Sequence, residues 1–302
     1  MLRIEGLAAF VAVAEGGSIS EAARRLRLSK SVVSERLADL ERSLGGALVH
    51  RSTRRLTLTE DGSAFLDRAR HILHEVTEAA ADMAERRGTL SGALRIAAPV
   101  TFGRMHLGPA LYPFLAEHPA IELTLDLDDR RVDATSGGYD AIIRHGPISD
   151  SRLVVWTLAP SRRYLVAAPD YLDRHGVPKT LADLEAHRSM SYAYRGIADW
   201  LFETPEGGIS VRAQVALRSN NGDMLRDAAI SGLGIALLPG FIVGEALRDG
   251  SLAAIDIGVQ PAAEFIYMAH PAGRNPSAKL RAIVEHLRAR FGNPPYWDPP
   301  TS

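Results

Sequence analysis

The sequence of 302 residues predicts an α+β multidomain protein: a small N-terminal helical module closed by a hairpin, one long helix, and a C-terminal domain of two α/β lobes. Three observations carry this. Residues 18–46 hold two hydroxyl-capped helix starts separated by a tight turn. Residues 66–83 carry an apolar seam at heptad spacing. From residue 92 onward, strand-like and helix-like stretches alternate.

Ile4, Leu7, Val11 and Ala14 recur at helical spacing, so a first helix is expected over residues 2–15, ended by Gly16 and Gly17. Ser18 followed by Glu21 reads as a capping box, in which the hydroxyl accepts from a free backbone N–H and the glutamate reaches back to the cap. The helix it starts buries Ala22, Ala23 and Leu26, and the small pair lets another helix approach closely. Leu28 lies in the turn, and Ser29 caps a third helix with Val33, Leu37, Leu40 and Leu44 as its apolar side. Gly45 and Gly46 end that helix. Leu48 to Leu58 then alternates as two short strands around Ser52 and Thr53, with Arg51, Arg54 and Arg55 beside the turn. Two helices, a tight turn and a basic hairpin in this order make a winged helix-turn-helix over residues 1–58.

The net charge of −1, from 35 basic and 36 acidic residues, is silent about nucleic acid, but its distribution is not. Nine basic residues between Arg24 and Arg55 face Glu35, Asp39 and Glu41, so nine minus three leaves a local +6. Such a patch fits phosphate contacts, and it also fits an ordinary solvated helix face. In a helix-turn-helix the second helix enters the major groove with its N-terminal residues at base edges. Here those residues are Lys30, Ser31, Val32, Ser34, Glu35 and Arg36. Hydroxyls, a lysine and an arginine suit hydrogen bonding to bases, and Val32 suits a thymine methyl.

A long helix is expected over residues 59–88, with Leu66, Ala69, Leu73, Val76, Ala80 and Met83 spaced 3, 4, 3, 4 and 3 apart as a pairing seam. His71 and His74 stand at metal-ligand spacing, but no third ligand lies nearby, so solvated surface is the better reading and no metal is expected. The third domain, residues 89–302, reads as strand at 92–98, helix from about Phe102 to His118, strand at 121–127, an Arg130–Arg131 helix and strand at 140–144. A second unit follows from Arg163. It reads as strand and helix to His175, a short helix at 181–186, strands at 189–194 and 211–218, a helix opened by Asn220 and Asn221, a buried strand at 235–238 and a helix at 241–248. Phe265 to Ala269 returns to the first unit, which a helix from Ser277 to Phe291 closes. The alternation predicts mostly parallel sheets. Lobe I is thus about 92–161 plus 267–292 and lobe II about 162–266, with crossings near Ala159–Arg162 and Glu264–Tyr267. The proline-rich tail, residues 293–302, is expected to be disordered or draped on the surface.

Ligands of open α/β sheets bind beyond the carboxyl ends of strands, where helix N-termini present free N–H groups. Three such ends should meet here: Pro99, Val100, Thr101 and Phe102; Arg144 and His145; and Asn220 and Asn221, with Tyr192 and Arg195 behind them. A hydroxyl, a guanidinium and amides suit a small carboxylate or an aromatic metabolite with polar oxygens. The asparagines are equally suited to helix capping, and Arg144 to a salt bridge with Asp140.

No cysteine is present, which excludes disulfides and thiolate metal sites. The uncharged run Ala228–Gly244 contains three glycines before its last residue and one proline, and it falls short of the ~20 apolar residues of a membrane span. The start carries no signal-peptide core, so a cytoplasmic protein without membrane contact is expected. A catalytic domain fused to a DNA-binding module is the rival reading. No GxSxG, P-loop, HExxH or GxGxxG after the first strand supports it, and no enzyme activity is expected. A solute-binding transport protein would need export, and the N-terminal module argues against it.

Residues 2–62 resemble the DNA-binding domain of LysR-type transcriptional regulators. The matching positions are Ala22–Ala23, Leu26, Leu28–Ser29, Val33–Ser34, Leu40–Glu41, Leu44–Gly45, Leu48, Arg51, Arg54, Leu58–Thr59 and Gly62. Lys30 stands where that family commonly has glutamine, and Glu35 where arginine is frequent, so no base preference carries over. The rest of the chain is similar to the same family, whose C-terminal domain has a periplasmic-binding-protein-like fold. The resemblance implies a regulator that binds an interrupted inverted repeat in double-stranded promoter DNA as a homodimer or homotetramer, modulated by a small-molecule effector and in contact with RNA polymerase. The implied DNA-facing set is Ser18, Ser29, Lys30, Ser31, Val32, Ser34, Glu35, Arg36, Arg51, Arg54 and Arg55. The seam of the long helix becomes the dimerisation surface.

Overall fold

The computed structural model describes residues 2–51, 56–85, 89–130, 138–147, 150–194, 200–205, 207–211, 213–272 and 276–299; for Arg51, His74 and residues 78–85 it describes the backbone alone. The chain divides into two compact units, Met1–Ala93 and Leu94–Ala134 with Tyr139–Ser302.

In the first unit, α1 (Ile4–Gly16), α2 (Ile19–Leu26) and α3 (Lys30–Leu44) are followed by the antiparallel strands β1 (Val49–Arg51) and β2 (Leu56–Leu58), then α4 (Glu60–Glu85). Leu7, Phe10, Val13, Ala22, Ala23, Val33, Leu37, Leu40, Leu48 and Val49 form one buried core. Gly6 lets α1 lie directly on α3, since a β-carbon there would press within 3.3 Å of the Arg36 carbonyl oxygen and Leu40 Cβ. Ser18 Oγ accepts from the Glu21 amide at 3.1 Å, as a cap should. The expected reciprocal bond is absent: the Glu21 carboxylate turns outward to Arg24 and Arg25, whose guanidinium groups hold its pKa below the usual range. The turn after α2 is made by Arg27 in the left-handed region at φ 53°, a strained choice for a residue with a β-carbon. Leu44, expected in the core, is 37% exposed, because the αL residue Gly45 ends the helix just beyond the buried turn.

α4 also serves the chain's own N-terminal core. Ala69 lies within the core of the N-terminal module, and Leu66 and Leu73 pack against it, with Phe65 set 5.9 Å from the Phe10 ring. Half of the expected pairing seam is therefore occupied inside the chain. Val76 is 43% exposed and its neighbour Ile72 40%; the side chains of Ala80 and Met83 lie outside the described residues.

The second unit opens with β3 (Gly92–Ala98) and a helix that starts at Val100 rather than Phe102. This helix runs as α5 (Val100–Phe102), a π-helical turn at Gly103–Leu107, and α6 (Gly108–Glu117). β4 (Ile121–Leu127), β5 (Ala141–His145) and β6 (Leu153–Ser161) follow, then lobe II. Lobe II contains β7 (Arg163–Ala167), α7 (Pro169–His175), β8 (Arg188–Tyr192), β9 (Leu201–Thr204), β10 (Gly207–Ser210), β11 (Gln214–Ser219), α8 (Gly222–Ile230), β12 (Ile235–Pro239), α9 (Gly240–Arg248), β13 (Ala253–Ala254) and β14 (Gln260–Pro261). β15 (Glu264–Pro271) and α10 (Ala278–Phe291) complete lobe I. Arg130 sits in a bend, and Arg131, its partner in the expected helix, lies outside the described residues.

Both five-stranded sheets are mixed, not mostly parallel. In the first, of order β4-β3-β5-β15-β6, β3 and β5 are parallel, but β15 runs antiparallel to β5 and β6. The second, of order β11-β8-β12-β7-β13, has β8 parallel to both neighbours and β7 antiparallel to both of its own. The first departure has a topological cause: β6 leaves lobe I and β15 comes back, so the two crossing strands pair head to tail, with Glu264 opposite Ser161.

The tail overturns its compositional reading. Trp297 is 2% exposed, wedged against Phe102, Phe291 and His106. Its backbone passes so close to α9 that a β-carbon on Gly244 would overlap the Trp297 carbonyl oxygen. His106 Nε2 lies 2.8 Å from the Phe241 carbonyl oxygen, so it carries the proton. Burial keeps this imidazole below its usual pKa and neutral, which leaves Nδ1 to accept from the Tyr296 hydroxyl at 2.7 Å. A residue of α9 in lobe II, a side chain of lobe I and the tail are thus chained together. Proline removes backbone donors, yet the lone tryptophan among the prolines has a large apolar surface to bury. Among the described residues, no helix is long and apolar enough to cross a membrane.

Candidate nucleic-acid interface and ligand cleft

In the first unit, burial of Val33, Leu37 and Leu40 fixes the face that α3 turns inward. Lys30, Ser31 and Glu35 are exposed, and Val32, Ser34 and Arg36 are half-buried at the helix start. Ser29 Oγ accepts from the Val32 amide at 3.3 Å and pairs with Ser31 Oγ at 2.9 Å, so the two hydroxyls serve the cap first. Among the described residues, no hydrogen bond or ion pair restrains Lys30, Glu35 or Arg36. Ser18, at the start of α2, is half-buried and spent on its own cap. Glu41, one of the three acids set against the basic patch, is structural: its Oε1 accepts from the Leu48 amide at 2.9 Å and the Val49 amide at 3.3 Å, joining the end of α3 to the hairpin. Arg54, Arg55 and the Arg51 side chain lie outside the described residues.

The second unit holds a cleft between its lobes, with a cavity of about 150 Å³. Six of the residues expected from the sequence line it: Pro99, Thr101, Phe102, Arg144, His145 and Tyr192. Val100, Asn220 and Asn221 do not. The Val100 amide is turned to Asp129 Oδ1 at 2.9 Å. Asn221 caps α8 through the Met224 amide at 3.2 Å and donates from Nδ2 to Asp129 Oδ2 at 3.0 Å; Asn220 is exposed ahead of that helix. Arg195 lies outside the described residues. Asp140 accepts from the Arg95 amide at 2.6 Å.

Residues that the sequence reading missed complete the lining: Asp128, Asp129, Arg130, Arg163, Tyr194 and Phe241 among them. Asp128 and Asp129 follow β4 directly, so the rule about carboxyl ends of strands could have found them. Arg130 donates to Asp128 at 2.7 Å and lowers its pKa. Behind the cavity Glu264 joins the lobes: Oε2 lies 3.0 Å from His145 Nε2 and Oε1 lies 3.7 Å from Arg163 Nη1. The Ser161 hydroxyl shares His145 Nε2 at 2.9 Å. Arg163 also donates to the Leu237 carbonyl oxygen at 3.2 Å. The cleft therefore offers aromatic walls from Phe102, Phe241 and Tyr192 with charges of both signs at its edge and floor. That suits a small polar or aromatic molecule. Among the described residues, no group of three or more metal-ligating side chains occurs.

Two family models account for nearly the whole chain: the bacterial regulatory helix-turn-helix protein of the lysR family over residues 4–63, and the LysR substrate binding domain over residues 87–292. The sequence is 34% identical over 292 residues to the HTH-type transcriptional regulator DmlR of Escherichia coli K12, covering 95% of this chain and 94% of that protein. It is 32% identical over 298 residues to the HTH-type transcriptional regulator PtxR of Pseudomonas aeruginosa, covering 98% and 95%. The solved structure of CrgA, a LysR-type transcriptional regulator from Neisseria meningitidis, is similar with a TM-score of 0.59 and 28% identity, over 94% of this chain and 98% of that one. With a helix-turn-helix module that turns the polar start of α3 outward and a two-lobed domain that encloses a cleft, the chain belongs to the LysR family of DNA-binding transcriptional regulators, its C-terminal domain being the effector-binding one.

Proposed function

We propose that this regulator binds an interrupted inverted repeat in promoter DNA as a homodimer or homotetramer, with the start of α3 in the major groove. The observation that carries this is the unrestrained polar surface of Lys30, Glu35 and Arg36 on a helix whose opposite face is locked into a core. Base edges are read by such groups, with Ser31, Ser34 and Val32 beside them and Arg51, Arg54 and Arg55 on the flanking backbone. Pairing would use the outer side of α4, where Ile72 and Val76 stay exposed once Leu66, Ala69 and Leu73 are packed inward. A small carboxylate or aromatic effector in the cleft would change lobe closure and shift the spacing of the two reading helices, and with it any contact to RNA polymerase. The reading requires no turnover.

Footprinting on the DNA upstream of its own gene, after selection from random duplexes, tests this. Two protected half-sites related by a dyad, one or two helical turns apart, are expected. A single asymmetric half-site would overturn the oligomeric reading. A thermal-shift screen of small carboxylates and aromatic acids should find compounds that raise the melting point of the C-terminal unit.

A further inference from the structure

The polar groups that the sequence offers to a ligand at the two helix starts are already taken by the protein's own carboxylates, and both carboxylates reach across the cleft. Asp129, just after β4 in lobe I, accepts from the Val100 amide at 2.9 Å on its own lobe and from Asn221 Nδ2 of lobe II at 3.0 Å. Asp223, in the first turn of α8 in lobe II, accepts from the lobe I side chains of Thr101 at 3.2 Å and Arg104 at 3.2 Å. Arg226 braces Asp223 from its own helix at 3.1 Å. The fit is close, because a β-carbon on Gly222 would overlap the Ile242 side chain and sit 3.6 Å from Thr101 Oγ1.

These contacts differ in kind from those at the back of the cleft. Phe102 of lobe I meets Phe241 of α9 there edge to face, with Trp297 of the tail packed on Phe102, and such buried ring contacts do not respond to salt. At the front, Arg104 is 60% exposed and Asp223 19%, so water and ions can compete for the pair. The Thr101–Asp223 and Asn221–Asp129 bonds are partly buried; polar bonds of this kind have a small net value each, so three of them make a closure of modest cost to break.

We propose that Asp129 and Asp223 form a releasable latch that holds the two lobes together across the mouth of the cleft, filling the donor positions that a ligand oxygen would otherwise occupy. The latch rests on the reading of this cleft as the effector site for its biological meaning, but not for its existence, and it can be tested with no ligand at all. Because the chain lacks cysteine, Glu117→Cys in lobe I and Glu185→Cys in lobe II accept a pair of spin labels at exposed positions. Distances between the labels are then compared in the otherwise unchanged full-length protein and in an Asp129→Ala/Asp223→Ala background. Amide hydrogen exchange is followed in parallel. The latch predicts a longer or broader distance distribution in the double variant. It also predicts exchange roughly tenfold faster at Val100–Arg104 and Gly222–Leu225, with β3 and β12 unchanged. Identical distances and exchange in the two proteins would overturn the proposal. So would a loss of protection that spreads through β3 and β12, since the aspartates would then hold the fold and not the mouth. A thermal-shift screen without hits would count against a carboxylate or aromatic effector in this cleft and leave the latch standing.

Discussion

The start of α3 and the mouth of the cleft carry the same kind of sequence signal, a hydroxyl or amide at a helix N-terminus followed by charged residues, and the fold uses them in opposite ways. At α3, Ser29 and Ser31 serve the cap, Lys30 and Glu35 are left toward solvent, and Arg36 is half-buried beside them. At the cleft, Thr101 and Asn221 are bonded across the lobes to Asp223 and Asp129, carboxylates 122 and 92 residues away along the chain. A helix start advertises donors; only the long-range partner decides whether they serve a cap, a ligand or another part of the same molecule. The start of α3 is open because everything that builds it is local. The cleft is self-satisfied because its parts come from distant segments that must meet anyway.

Substitutions can sharpen this contrast, beginning with the largest expected effect. Trp297→Ala removes a fully buried aromatic from the lobe junction and should destabilise the C-terminal unit by ~3–5 kcal/mol. Chemical denaturation should show the transition of the N-terminal module unmoved; equal loss in both would mean that the two regions do not fold as separate cores. Lys30→Ala should do the reverse, weakening discrimination at one base position by ~1–3 kcal/mol while melting shifts by no more than about 0.5 kcal/mol. Unaltered preference in a selection experiment would remove Lys30 from the reading surface. The smallest effect is graded with pH. His106, His187 and His270, all in the C-terminal unit, have pKa values lowered by burial. The unfolded chain therefore binds more protons than the folded one between their lowered values and about 6.5. Stability from these groups is complete above about pH 6.5 and is lost as pH falls through the lowered values. Denaturation midpoints of this unit should drop between about pH 7.5 and about pH 5.5, and a midpoint that rises would contradict the burial of the three imidazoles.

Much of the N-terminal module was legible because its signals are local. Ser18 and Ser29 cap where their spacing says they should, and Val33, Leu37 and Leu40 are buried at 3–4 residue intervals. The use of the apolar seam on α4 was not legible. Heptad spacing shows that a face is apolar, and nothing in it tells whether the chain's own core or a second helix covers that face; Leu66, Ala69 and Leu73 went to the former. In the cleft, the strand-end rule points to Thr101 and Arg144 and could equally have found Asp129, whereas Asp223 and Glu264, which lie beside the cavity, escape it because their significance lies in pairing across sequence. The tail was misjudged for a related reason. Its prolines describe the local backbone, but the pocket that holds Trp297 adds to nearby Phe291 the rings of Phe102 and His106, which lie far back in the sequence.

The register of the two crossing strands has a consequence for modularity. Ser161 and Glu264 face one another in the strand register, so lobe II enters and leaves lobe I at a single point, as an insert would. Joining the two strands by a short hairpin turn would excise residues 162–263 without altering the ends it connects, and β4-β3-β5-β15-β6 would keep its strand order. The same point is where a foreign domain could be spliced in, its motions delivered directly to His145 and Glu264 at the floor of the cleft.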